Sequence, residues 1–170
     1  MSIEEVRAKY VDLLRSASKC LIQIGFSRRG NVFFIEGVGC RGIIGFQKSM
    51  SSKKSCIKFT INIGVVYSAA LHHSERSLES ATIEDAHLRC RVGSITKNGE
   101  DFWWFITTST NDNSLSLEIS DILTSKIVPF VKKYMQRDQF LALLESGRSP
   151  GLTAVQRSRV IRSIKGNGSI

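Results

Sequence analysis

The residues best suited to bind or react lie in three strand-like stretches. Gln47 is in GFQKS, Thr60 and Asn62 are in FTINIGV, and Arg89 and Arg91 are in RCRVG, with the pair Trp103 and Trp104 further on. Amides offer paired donors and acceptors, guanidinium groups hold carboxylates or phosphates in forked hydrogen bonds, and an indole offers a flat face. Such a set binds anions or planar ligands; it does not itself break bonds. Alternation along a strand decides which side chains share a face. Ile44 and Phe46 point one way, with Ile57, Phe59, Ile61, Ile63, Val65, Leu88, Cys90 and Val92. Ile43, Gly45, Gln47, Lys58, Thr60, Asn62, Gly64, Arg89 and Arg91 point the other way. In DFWWFIT both faces are apolar, and the reading places Trp104 with the polar set. The candidate binding residues are therefore Gln47, Thr60, Asn62, Arg89, Arg91 and Trp104. If C-terminal helices cover that face, the same groups instead satisfy buried backbone or one another.

Other chemistries find less support. The chain has no phosphate-binding glycine loop, dinucleotide fingerprint, HExxH or GxSxG. The possible metal ligands His72, His73, Glu75, Glu79, Asp85 and His87 crowd one long connection, without two histidines at helical spacing. Glu36 has no second acid beside it for general acid–base work. Cys90 and His87 are three apart, on opposite faces of a strand. Cys20, Cys40, Cys56 and Cys90 form no CxxC pair and read as reduced structural thiols. No catalytic residue, metal or cofactor is expected.

The elements that must position the candidates follow from periodicity. Ile3, Val6, Tyr10, Leu13, Leu14, Ala17, Leu21 and Ile24 form one helical stripe, with a Ser2–Glu5 capping box before it and Gly25 as its stop. Five strands are predicted over 32–36, 41–48, 56–67, 87–95 and 101–107, with short loops between the first three that favour an antiparallel meander. Residues 49–55, with Lys53 and Lys54, form a polar hairpin tip. Residues 68–86 form a long polar connection of the kind that is often functional or mobile. Asn98-Gly99 signals a hairpin. A helical stripe runs from Leu117 to Tyr134, with Pro129 inside to kink or divide it. A short helix follows over about 138–145, then a last basic amphipathic helix capped by Thr153 and running to about Lys165, before the Gly-Asn-Gly-Ser end frays.

At 170 residues, with 42% hydrophobic and 23% charged residues, the chain suits one α+β domain. Residues 1–147 are expected to form that domain, and 148–170 a basic helix or tail. Five of the nine net positive charges fall in that tail, as Arg148, Arg157, Arg159, Arg162 and Lys165, so the body is only mildly basic. No leader-like or membrane-spanning apolar run occurs, which makes a cytoplasmic location the default expectation.

The run GFSRRGNVFFIE, then GFQKS, FTINIGV, RCRVG and a Trp-Trp pair resembles the bacterial family catalogued as domain of unknown function 4304. The resemblance covers about Gly25 to Trp104. It implies a small α+β domain and carries no established activity or catalytic residues. Gly45 departs from it: the family often has Asn before the Phe-Gln pair, so one side-chain amide is missing here. The combined expectation is a non-enzymatic ligand- or protein-binding module that uses the polar sheet face toward an unknown protein or a small anionic ligand. The alternative is a nucleotide- or nucleic-acid-binding protein, or an enzyme, with Arg89 and Arg91 as an anion clamp.

Overall fold

A computed structural model describes residues 3–53, 55–71 and 76–166. Ser2, Lys54, His72, His73, Glu75 and the last four residues lie outside the described residues, and so do the readings that rest on them. Helix α1 (Ile3–Gln23) buries Val6, Tyr10, Leu13, Leu14, Ala17 and Leu21, the stripe expected from spacing. Gly25 ends it with φ +104°, and the Phe26 and Gly25 N–H groups return to the carbonyls of Leu21 and Ile22. Glycine adopts that left-handed conformation without a Cβ penalty, so the chain reverses here at little cost.

The sheet is antiparallel, in the order β1 (Ser27–Arg29), β2 (Val32–Gly37), β3 (Cys40–Lys48), β4 (Ile57–Tyr67), β5 (Leu88–Arg91). A further strand, β6 (Trp104–Ile106), pairs with the start of β4 beyond β5. The fold is thus α+β, as the meander pattern predicts. β5 is shorter than the expected 87–95 because Gly93 opens a short helix, α2 (Gly93–Thr96). The backbone of Glu100 crosses so close to Gly93 that a Cβ there would lie 1.8 Å from the Glu100 carbonyl oxygen, so only glycine fits. Asn98 and Gly99 do turn with positive φ, but they close the end of α2 and do not join two paired strands.

Helices cover one face only. Helix α3 (Asp112–Ile122) runs through a π-helical turn (Leu123–Ile127) into α4 (Val128–Tyr134), followed by α5 (Arg137–Glu145) and α6 (Ala154–Gly166). The widened turn falls just before Pro129, which has no N–H to continue a regular ladder. Ile119, Leu123, Ile127, Val131, Phe140 and Leu144 join α1 and the Ile44–Phe46 face of the sheet in one core. Its centre is aromatic: Phe59 packs between Tyr10 (5.5 Å) and Trp104 (5.4 Å), and the Trp104 indole N–H donates to Glu118 at 2.9 Å. The basic last helix packs on this body through Val160 and Ile164, and the Arg137 guanidinium donates to the Ile164 carbonyl. Among the described residues no helix is long and apolar enough to cross a membrane.

The opposite face carries a separate, smaller cluster of Ile43, Val66 and Ala81 with Phe34, Leu78 and Ile83 around it. Its cover is the connection after β4, a strap with single 3₁₀ turns at Ser68–Ala70, Leu78–Ser80 and Ile83–Asp85. Buried Arg41 holds the strap down. Its Nε donates to Glu36 at 2.6 Å, its Nη1 donates to the carbonyls of Glu79 (2.5 Å) and Ala81 (3.3 Å), and its guanidinium lies 4.4 Å over the Phe34 ring. Gly64 lets the strap approach: a Cβ there would come within 2.6 Å of Ile83 Cδ1 and 2.9 Å of Ala86 Cβ. Replacing Arg41 with Met keeps bulk but leaves two strap carbonyls without a donor. The expected cost is about 1–3 kcal/mol, seen as lost hydrogen-exchange protection in residues 78–86 while β3 and β4 stay protected. Equal loss across the sheet would contradict a strap-specific role.

Candidate functional site

Register across the sheet explains what lies on the half of the second face that the strap leaves bare. Arg29 pairs with Val32, Val32 with Gly45, Gly45 with Asn62, and Asn62 with Arg91. Paired residues share a face, so these five form one row across five strands, with an arginine at each end. The next row toward the strap contains Phe34, Ile43, Gly64 and Arg89. Gly45 makes a trough in the middle of the first row: a Cβ built there would find only Val32 Cγ2, at 3.9 Å.

The trough belongs to a groove of about 500 Å³, with Arg29, Val32, Gln47, Asn62 and Arg89 along it and residues 80–84 of the strap as one wall. Asn62 donates from Nδ2 to Gln47 Oε1 at 2.7 Å. That bond leaves the Gln47 amide donors and the Asn62 carbonyl oxygen without a partner among the described residues, a donor–acceptor pair facing the groove. Arg29 and Arg89 are exposed, and neither guanidinium has a hydrogen-bond or ion-pair partner among the described residues. The backbone of Arg89 pairs with Gly64 on β4, and Gly151, at φ +86°, passes so close to β5 that a Cβ there would sit 3.0 Å from the Arg89 carbonyl oxygen.

Gln47, Asn62 and Arg89 therefore come together, while the other three candidates do not join them. Thr60 is buried, and its hydroxyl donates to the Phe102 carbonyl at 2.8 Å. Arg91 lies at the end of the row, but its Nη1 donates to both Asp101 carboxylate oxygens, at 2.9 and 3.0 Å. Trp104 lies on the core face, the reverse of the sequence expectation, because its register partner is Phe59. The indole on the polar face is Trp103. Its N–H donates to Asp101 at 2.8 Å, and the Lys58 ammonium and Arg91 guanidinium lie 4.9 and 5.0 Å from its ring. Exposed Phe105 stands opposite Lys58.

Two further residues escape the sequence reading. Arg29 falls in a stretch read as a connection, yet the Gly30-Asn31 turn beside it signals that residues 29 and 32 face each other across a hairpin. Arg41 follows the parity of Ile43 and Gln47, but its partners lie in the strap and leave no local trace. Of the residues weighed as metal ligands, buried His87 has both nitrogens occupied: Nδ1 accepts from the Tyr67 N–H at 3.1 Å and Nε2 donates to the Ala70 carbonyl at 3.2 Å. Asp85 accepts from Arg76 and from the Thr82 N–H. Cys90 is buried, and burial pushes its thiol up to about 12, away from nucleophilic use.

The Trp103 indole N–H and then the Arg91 guanidinium hold the Asp101 carboxyl below its ordinary range. A depressed folded-state value contributes stability above the unfolded value, and that contribution is lost as pH falls through the folded one. The Trp103 indole N–H resonance is accordingly expected to stay fixed down to about pH 4, the ordinary carboxylate region, and to move only on further acidification. A titration centred above that point would show that the indole and guanidinium do not hold Asp101.

The chain matches the family described as Domain of unknown function (DUF4304) over residues 17–133. No curated protein and no solved structure gives a significant match. The matched span takes in the end of α1, all six strands, the strap and the helices through most of α4, and hence every residue of the groove. On that match the chain belongs to the DUF4304 family.

Proposed function

We propose that the chain is a non-enzymatic binding module of the cytoplasm, and that the bare half of the sheet's second face is its ligand surface. The observation that carries this reading is the convergence of Gln47, Asn62 and Arg89, together with Arg29, on one open groove. Two guanidinium groups without partners are solvated cations at little cost, and each gains when a carboxylate or phosphate enters. The free donor–acceptor pair on Gln47 and Asn62 adds orientation through a planar hydrogen-bonding edge. Glu84 is the one acid along the groove among the described residues, and these provide no acid–base pair for catalysis. The ligand is therefore an anion-bearing molecule or an anionic part of a partner protein.

A second reading, a nucleotide or nucleic acid held by the sheet arginines, draws on the Lys58–Trp103–Arg91 arrangement and the exposed Phe105 next to it. Such a ligand would stack on aromatic rings and bind in a strongly salt-dependent manner.

Arg89→Ala separates a binding role from a structural one. A charge-assisted hydrogen bond contributes roughly 1.5–3 kcal/mol. Binding of phosphate or citrate, followed by side-chain amide shifts of Gln47 and Asn62, is thus expected to weaken about tenfold or more. The melting temperature should hardly change, since the replaced group is exposed. An unfolded variant, or one that binds as the parent does, would count against the groove.

A further inference from the structure

The row Arg29–Val32–Gly45–Asn62–Arg91 sets a length as well as a chemistry. Its ends lie four inter-strand steps apart, roughly 19 Å between backbones. Arg29 on β1 and Arg89 on β5 sit near opposite ends of the groove for the same reason. A phosphate or a single carboxylate reaches one of them and not both. The groove floor between them is uncharged, with Val32, Phe34 and Ile83 apolar and Gln47 and Asn62 amides; among the described residues the strap wall adds one charge, the exposed carboxylate of Glu84.

We propose that the occupant is an extended acidic segment of a partner protein, laid across the strands with one carboxylate at Arg29 and another at Arg89. This rests on the binding reading of the groove given above. Three observations select a peptide over other anions. The cations are discrete and widely spaced, so they suit carboxylates several residues apart, whereas a nucleic-acid backbone presents its charges evenly. The middle of the groove offers the Gln47–Asn62 amide edge to a peptide group and an apolar floor to one side chain. Among the described residues the one aromatic ring along it besides buried Phe46 is that of Phe34, and Arg41 already lies 4.4 Å over it, in the place a stacked base would take. Arg29 and Arg89, unpartnered among the described residues, give charge complementarity to such a segment at both ends of the groove.

An extended chain advances about 3.3 Å per residue and alternates its side chains between two faces, so carboxylates about six residues apart face the groove together and span the two arginines. The test is an NMR titration of the full chain, isotope-labelled, with capped eight-residue Gly/Ser peptides. One peptide carries glutamates six residues apart, one carries them two apart, and one carries none; an oligothymidylate of equal charge is titrated alongside. The widely spaced peptide is expected to bind at least tenfold more tightly than the closely spaced one, with the Gln47 and Asn62 amides shifting. Arg29→Ala and Arg89→Ala should each erase that advantage. Gly45→Val, which fills the trough with no change of charge at a position with room for a Cβ, should weaken binding as much.

Equal binding of the two glutamate peptides, with the same amides shifting, would overturn the bridging segment and leave the groove as a site for single anions. Tighter binding of oligothymidylate, with shifts at Trp103 and Phe105, would overturn it in favour of nucleic acid. No shift with any of the four probes would overturn both this inference and the binding reading beneath it.

Discussion

The clamp that Arg41 makes between sheet and strap is the interaction on which the rest of the second face depends. A buried guanidinium must find partners for its donors, or its desolvation goes uncompensated. Here it finds Glu36 and two carbonyls of the strap, and its flat side rests on Phe34. That arrangement pins residues 79–81 over Ile43 and Val66 and seals one half of the face. It also places residues 80–84 as a wall, so the half that stays open is a groove and not a flat sheet. Gly64 works with Arg41, since any side chain at that position would meet Ile83 and Ala86 and lift the strap.

The two faces of the sheet thus serve different ends. The first is closed by α1, α3, α4 and α5 over an aromatic centre; there the Tyr67 hydroxyl donates to the Tyr134 carbonyl at 2.8 Å, while the buried Tyr10 hydroxyl has no partner among the described residues. The second is closed only where the strap lies. Beyond the strap, polar groups divide into those already satisfied and those left available. Thr60 and Arg91 have internal partners, as does the Trp103 indole N–H, whereas Arg29, Arg89 and part of the Gln47–Asn62 amide pair have none among the described residues. The proposed ligand surface rests on that division between satisfied and available groups.

Local periodicity made much of this legible in advance. The stripe of α1 and the alternation along β3 and β4 are properties of neighbouring residues, so Phe59, Ile61 and Ile63 could be assigned to one face and Gln47 and Asn62 to the other from sequence alone. Trp104 was not legible in the same way. DFWWFIT is apolar on both sides, so its orientation depends on the pairing of Phe59 with Trp104, which is a matter of register between distant strands. Thr60 followed its predicted parity, yet its hydroxyl was claimed by the Phe102 carbonyl, a contact across 42 residues. Arg29 was hidden by the shortness of β1, three residues with no pattern of their own. The strap carries no periodic signal at all, because it is held by Arg41 and Gly64 and not by its own secondary structure.

The central claim is that the strap seals one half of the second face and leaves the other open to solvent and ligand. Paramagnetic broadening of side-chain NMR signals by a soluble, neutral relaxation agent measures that directly. The side-chain amides of Gln47 and Asn62 and the guanidinium of Arg89 are predicted to broaden strongly, while the methyl groups of Ile43, Val66 and Ile63 stay sharp. Protection of Gln47 and Asn62 at the level of Ile43 would contradict the account, because the face it assigns to a ligand would then be closed.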